Sequence, residues 1–109
     1  MQTEKVQYEL RDNIALITLD DGKANALSHE LIDALHGCLD RAEREAAAVL
    51  IVGRPGRLSA GFELKTMTSG AVEAQGLVTA GAKLLVRMYV FPRPVVVACT
   101  GHALAAGAL

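Results

Sequence analysis

Ser28-His29-Glu30-Leu31-Ile32-Asp33-Ala34-Leu35-His36-Gly37-Cys38-Leu39-Asp40-Arg41-Ala42-Glu43-Arg44-Glu45, followed closely by Val49-Leu50-Ile51-Val52, decides the class of fold. Ser28 is a residue type whose hydroxyl caps a helix start, and Glu30 puts a carboxylate in the first turn, where the helix dipole favours negative charge. Leu31, Leu35, Cys38 with Leu39, and Ala42 then recur at three- and four-residue spacing, while Asp33, Asp40, Arg41 and Arg44 fall on the other side. The spacing predicts an amphipathic helix to about Glu45. Val49–Val52 is a short unbroken apolar run, the pattern of a strand covered on both faces.

Towards the N-terminus, Val6, Tyr8 and Leu10 alternate with Gln7, Glu9 and Arg11, the period of a half-buried strand. Asp12-Asn13 reads as a tight turn, because both residue types tolerate positive φ. Ile14 to Leu19 is apolar on both faces and predicts a more buried strand, closed by Asp20-Asp21-Gly22. Strand, helix, strand in this order predicts a crossover and a parallel pair.

Towards the C-terminus, Gly53-Arg54-Pro55-Gly56 is a turn, and Arg57 to Gly70 shows no clear period. Leu77, Ala80 with Gly81, Leu84, Met88 and Phe91 form the stripe of a second helix, with Lys83 and Arg87 facing away, and Pro92 and Pro94 end it. Val95 to Cys99 predicts another buried strand. Gly101 and Gly107 bracket a small-residue turn, with a new helix opening near Ala106. The chain is therefore α/β, in the order ββαβ, loop, αβ.

A chain of 109 residues is of one-domain size, and 51% apolar against 21% charged residues predicts a packed core. With only two Tyr, two Phe and no Trp, that core is aliphatic, and stacking of nucleotide bases is not its main activity. A net charge of −1 gives no field for nucleic acid or an anionic membrane, so neither is an expected partner. Cys38 and Cys99 stand far apart without ligand-spaced neighbours, which predicts two buried free thiols. The first residues lead into no apolar signal region, and the Pro94–Leu109 run is shorter than the ~20 residues a bilayer span needs. A cytoplasmic protein is expected.

Several site motifs fail on inspection. Gly56 to Gly61 has the glycine spacing of a phosphate-binding loop, but Phe62-Glu63 stands where Lys and Ser/Thr belong. A G-x-G-x-x-G turn is absent. Around Ser59 a nucleophile elbow is half present: Gly61 fits, Arg57 does not, and no Asp follows Ser59 in the chain. His29 and His36 lie on nearly one helix face without a third ligand, so a metal site is not expected. What remains is a pair of small-residue turns, Ser59-Ala60-Gly61 and Ala105-Ala106-Gly107. Small residues let a ligand approach the backbone, and bare N–H groups suit a developing oxyanion.

Four segments in order resemble the enoyl-CoA hydratase/isomerase (crotonase) superfamily. Asn25-Ala26-Leu27-Ser28 is similar to the family's N-A-L opening, and Ala48 to Gly53 to its A-V-V-L-T-G strand. Leu58-Ser59-Ala60-Gly61-Phe62-Glu63-Leu64-Lys65 resembles F-C-A-G-A-D-[IL]-K, and Pro94 to Gly107 resembles K-P-V-I-A-A-V-N-G-x-A-x-G-G-G. The resemblance implies a spiral of repeated ββα units in a homotrimer or a dimer of trimers. It implies an acyl-CoA thioester as substrate, and no cofactor beyond the coenzyme A that the substrate carries. Two backbone N–H groups, of Ala60 and Ala106, are then the catalytic oxyanion donors that stabilise an enolate. Lys23, Ala24, Leu58, Ser59, Gly61, Phe62, Glu63, Leu64 and Ala105 match stretches that line the substrate.

Departures from the family pattern sharpen the expectation. Ala106 replaces a glycine but keeps its N–H. Glu63 replaces an Asp and is expected to hold the loop by hydrogen bonds rather than to react. Phe62 occupies a usually small position. Leu109 stands where hydratases carry their first catalytic Glu, and without that acid paired activation of water fails. The resemblance therefore points to an isomerase-like more than a hydratase-like enzyme, with α-proton transfer by a carboxylate beyond residue 109. The alternative is a crotonase-like acyl-CoA-binding or assembly protein without chemistry. Family members have about twice this length, so residues 1–109 are expected to be the N-terminal part of one truncated domain, unable to fold stably or catalyse alone.

Overall fold

A computed structural model describes residues 6–20, 27–53, 56–59, 62–98 and 101–103, with the backbone alone for 56–58, 64, 65 and 101–103. The elements in chain order are β1 (Val6–Arg11), β2 (Ile14–Leu19), α1 (His29–Glu45), β3 (Ala48–Val52), β4 (Gly56–Ser59), α2 (Leu64–Met67), α3 (Ala71–Tyr89), β5 (Val95–Ala98) and β6 (Gly101–Ala103).

β1 and β2 form a hairpin in which Arg11 faces Ile14, leaving Asp12 and Asn13 as its two-residue turn. Both have positive φ, 53° and 67°, the geometry that matches the right-handed twist of the flanking strands. α1 begins where its capping chemistry predicts. The Ser28 hydroxyl accepts from the Leu31 N–H at 3.1 Å, satisfying one of the orphan donors of the first turn. β3 then returns parallel to β2, and β5 lies parallel on the other side of β3, giving the sheet order β1-β2-β3-β5.

β4 and β6 make a separate two-stranded parallel sheet. The order strand–strand–helix thus recurs: β1-β2-α1, then β3-β4 with α2 and α3, then β5-β6. From β3 onward, the first strand of each unit joins the larger sheet and the second joins the smaller one, each parallel to its predecessor. That is one turn of a ββα spiral. The sequence reading is corrected here at two places. The end of the expected Gly53–Gly56 turn and the aperiodic stretch from Arg57 contain β4 and the single turn α2, and the small-residue turn bracketed by Gly101 and Gly107 begins as β6.

The core lies between the larger sheet and the two long helices. Val6, Tyr8, Ala15, Ile17, Leu19, Val49 and Ile51 supply the sheet side, and Leu31, Ile32, Leu35, Cys38, Leu39, Leu77 and Leu84 the helices. Each large aliphatic side chain taken fully from water is worth about 1.5–3 kcal/mol, which is how an almost purely aliphatic interior suffices. Cys38 is buried and forms no disulfide among the described residues, and burial pushes its thiol pKa up. Cys99 lies outside the described residues.

Two polar ties fix α1. At its C-terminal end the Tyr8 hydroxyl and the Arg41 Nε–H both donate to Glu45 Oε1 at 2.8 Å, and the Arg41 guanidinium carbon stands 4.3 Å from the Tyr8 ring centroid. Burial, helped by the bond to Glu45, raises the Tyr8 phenol to about 12. The second tie corrects the expectation that Arg87 faces away. It turns onto α1, donating to Asp40 Oδ1 at 2.6 Å and to the His36 carbonyl at 3.2 Å. The acceptors come from another helix, which a single-helix stripe cannot show.

The β5 strand is less covered than its apolar sequence predicts: Val96 is 57% and Val97 39% exposed. β5 is an edge of the larger sheet, so one side of it has no neighbour among the described residues. Together with Leu85, Val86, Met88 and Tyr89 of α3, the strand lines an open apolar groove through Val95 and Val97. No helix among the described residues is long and apolar enough to cross a membrane.

Candidate functional site

The segment singled out by sequence starts on β4 and is held at three points. Leu58 and Ser59 end the strand, Ser59 is buried, and it stands opposite Ala103 at the end of β6. Beyond residues 60–61, Phe62 forms an isolated parallel bridge with Leu27, the residue before the α1 cap. Next to it the Glu63 N–H donates to the Leu27 carbonyl at 2.8 Å. The Phe62 ring, half-buried, rests on Gly81 of α3.

Glu63 is used locally. Its carbonyl accepts from the Met67 N–H at 3.1 Å, closing the single turn of α2 that Leu64 opens. Its carboxylate accepts from the Thr66 hydroxyl at 2.5 Å. The carboxylate is thus engaged within the first turn of α2. Thr66 carries no capping signal in the sequence, because Glu63-x-x-Thr66 reverses the order of a capping box and its bond joins two side chains.

Three segments named from sequence therefore meet. The 23–28 stretch reaches the 58–64 stretch through Leu27 and Phe62, and the 58–64 stretch reaches the run towards residue 105 through Ser59 and Ala103. β4 and β6 run in the same direction, so the chain leaves both at the same end of the small sheet. Lys23, Ala24, Ala60, Gly61, Ala105, Ala106 and Leu109 themselves lie outside the described residues. Of the candidate residues whose side chains are described, Ser59, Phe62 and Glu63, none lines the apolar groove between α3 and β5.

The histidines are accounted for differently. His29 is exposed at the start of α1. His36 Nδ1 stands 3.2 Å from Arg87 Nη1, and because arginine only donates, this ring nitrogen is the acceptor. Its lone pair is engaged by a cation, which disfavours a metal there. Among the described residues no group of three or more His, Cys, Asp or Glu side chains is arranged to hold a metal ion.

Residues 9–109 match the family model of enoyl-CoA hydratase/isomerase. The chain belongs to that family. A solved enoyl-CoA hydratase/isomerase family protein from Pseudomonas syringae has a TM-score of 0.94 and 48% identity, covering 96% of this chain and 46% of the other. A protein of Mycobacterium tuberculosis, described in one solved structure as an enoyl-CoA isomerase and in another as a probable enoyl-CoA hydratase, gives TM-scores of 0.91 and 0.92 at 42% and 44% identity, covering 96% of this chain and 46% and 45% of the other. A curated relative, a probable enoyl-CoA hydratase of Bacillus subtilis, is 35% identical over 98 residues, which are 86% of this chain and 38% of the relative. The chain thus spans about two fifths of the length of that relative, and the ββα spiral built here is the crotonase fold of the family.

Proposed function

We propose that the protein carrying this chain is an acyl-CoA thioester enzyme of the enoyl-CoA hydratase/isomerase type, working through a backbone oxyanion hole made by the N–H groups of Ala60 and Ala106. The observation that carries the reading is the parallel pairing of β4 with β6, in which Ser59, one residue before Ala60, stands opposite Ala103, three residues before Ala106. Two amides that follow adjacent parallel strand ends are separated in sequence by more than forty positions yet start from one place in the fold. Donors held by a rigid scaffold, aimed where charge develops, act without reorganisation as the thioester oxygen becomes an enolate oxygen.

In this scheme the acyl-CoA α-carbon loses a proton to a carboxylate supplied beyond residue 109, and the electron pair moves onto the thioester oxygen against the two N–H groups. Return of a proton at the γ-carbon shifts the double bond. Leu109, in place of the Glu that helps activate water, favours this isomerase course over hydration. Lys23, Ala24, Leu58, Ser59, Gly61, Phe62, Glu63, Leu64 and Ala105 line the thioester site. A homotrimeric or doubly trimeric cytoplasmic assembly completes the proposal.

The test offers the full-length protein a 3-enoyl-CoA and a 2-enoyl-CoA in parallel. Formation of the conjugated product from the first, well above hydration of the second, is the expected result. Hydration as the faster reaction overturns the isomerase preference, and tight acyl-CoA binding with neither reaction overturns the enzymatic reading in favour of a binding or assembly role.

A further inference from the structure

We propose that Phe62 is a positioning residue whose ring, seated on Gly81 of α3, fixes the segment carrying the Ala60 amide and so controls turnover more than substrate affinity. The inference rests on the oxyanion role proposed for Ala60. Its basis is a steric pair. A Cβ added at Gly81 would stand 2.6 Å from Cε1 and 2.7 Å from Cζ of Phe62, distances at which one of the two must move. Gly81 is buried, between Leu77 and Leu84 on the inward stripe of α3. Glycine inside a helix is costly because it orders a freer backbone, and here the missing side chain is the space that the ring fills.

The same helix supplies its own control. Gly76 is exposed, and a Cβ there would meet nothing within 4 Å. The two glycines share a helix and differ in whether an aromatic ring leans on them.

Displacement of the ring would reach the proposed site along a short path. Phe62 bridges to Leu27, and the neighbouring Glu63 N–H bonds the Leu27 carbonyl. Ser59 is held on the other side in the β4–β6 ladder. Residues 60 and 61 are therefore flanked by two held points, one of them set by α3. Misplacing a reacting group by about 1 Å costs a large factor in rate because alignment is lost while most binding contacts remain.

The experiment compares Gly81→Ala, Gly76→Ala, Phe62→Ala and Phe62→Ala/Gly81→Ala in the full-length enzyme with an enoyl-CoA substrate. Gly81→Ala is expected to lower kcat by about tenfold or more with KM little changed, while Gly76→Ala leaves both as they were. Removing the ring removes the clash, so the double variant should turn over no more slowly than Phe62→Ala. If Gly81→Ala does not fold, Gly81→Ala in a Phe62→Leu background carries the same comparison with a smaller side chain. Equal kcat in Gly81→Ala and Gly76→Ala, or a loss confined to KM, overturns the positioning role alone. A wild-type protein inactive on enoyl-CoA overturns the functional reading first, before any variant is compared.

Discussion

Ser59 and Ala103 stand opposite each other at the ends of the parallel strands β4 and β6, the only pair of strands in the smaller sheet of the described residues. The pairing has a mechanical consequence. Parallel strands run in the same direction, so the chain leaves β4 after Ser59 and β6 after Ala103 at the same edge of the sheet. Short strands of three and four residues are enough, because the larger sheet holds the strands that precede them, β3 and β5, in register.

Arg87 ties α3 to α1, and its loss should be felt as stability. It donates to the His36 carbonyl and to Asp40, but Asp40 is 60% exposed, so water screens the ion pair. Arg87→Met should cost about 1 kcal/mol, most of it from the lost carbonyl bond. Arg87→Lys should recover less than half of that, because an ammonium cannot reproduce the forked geometry. Urea unfolding of the full-length variants measures both.

The Tyr8–Glu45 pair predicts stability limits at both ends of the pH scale. Tyr8 rises from 10.0 to about 12 in the fold, so the folded state holds the phenol proton more tightly than the unfolded chain. The stability this adds is complete below pH 10 and is lost as pH rises towards 12. Glu45 is shifted the other way, chiefly by the Tyr8 hydroxyl and further by Arg41. Its contribution is present above the ordinary glutamate value and disappears as pH falls through the lowered one. Tyr8→Phe should flatten the alkaline decline, and 13C NMR of labelled tyrosine, assigned with that variant, should place the Tyr8 midpoint near 12.

Much of the fold is legible in the sequence. α1 announces itself because Ser28, Glu30 and a continuous 3.6-residue stripe agree, and the Asp12-Asn13 turn because few other residues accept its positive φ. β4 and β6 were hidden for a physical reason: each is too short for alternation to accumulate, contains glycine, and is stabilised by the other strand rather than by its own pattern. The direction of Arg87 is not legible in sequence, because its acceptors, His36 and Asp40, lie some fifty residues away on another helix. Gly81 looks in sequence like a blemish in a helical stripe, and only the fold brings Phe62 against it.

The apolar edge formed by α3 and β5 predicts how residues 1–109 behave alone. Val86, Tyr89, Val90 and Val96 are each more than half exposed, Tyr89 at 91%, and Val86 and Tyr89 line the open apolar groove with Val95 and Val97; large apolar surface of that kind is seldom left bare on a monomer. The isolated 109-residue chain should self-associate and melt without a cooperative transition. A single sharp thermal transition in a species of monomer size would show that the edge needs no cover.

The most direct measurement is enoyl-CoA turnover by the full-length protein with Ala106→Pro beside Ala106→Gly. Proline deletes the amide proton assigned to the oxyanion, whereas glycine keeps it and only removes a Cβ. Loss of one oxyanion donor costs about 10²–10³ in kcat, so the proline variant should fall by that factor while the glycine variant stays near wild type. Wild-type turnover in Ala106→Pro, with the protein folded, would contradict the backbone oxyanion hole on which the mechanism depends.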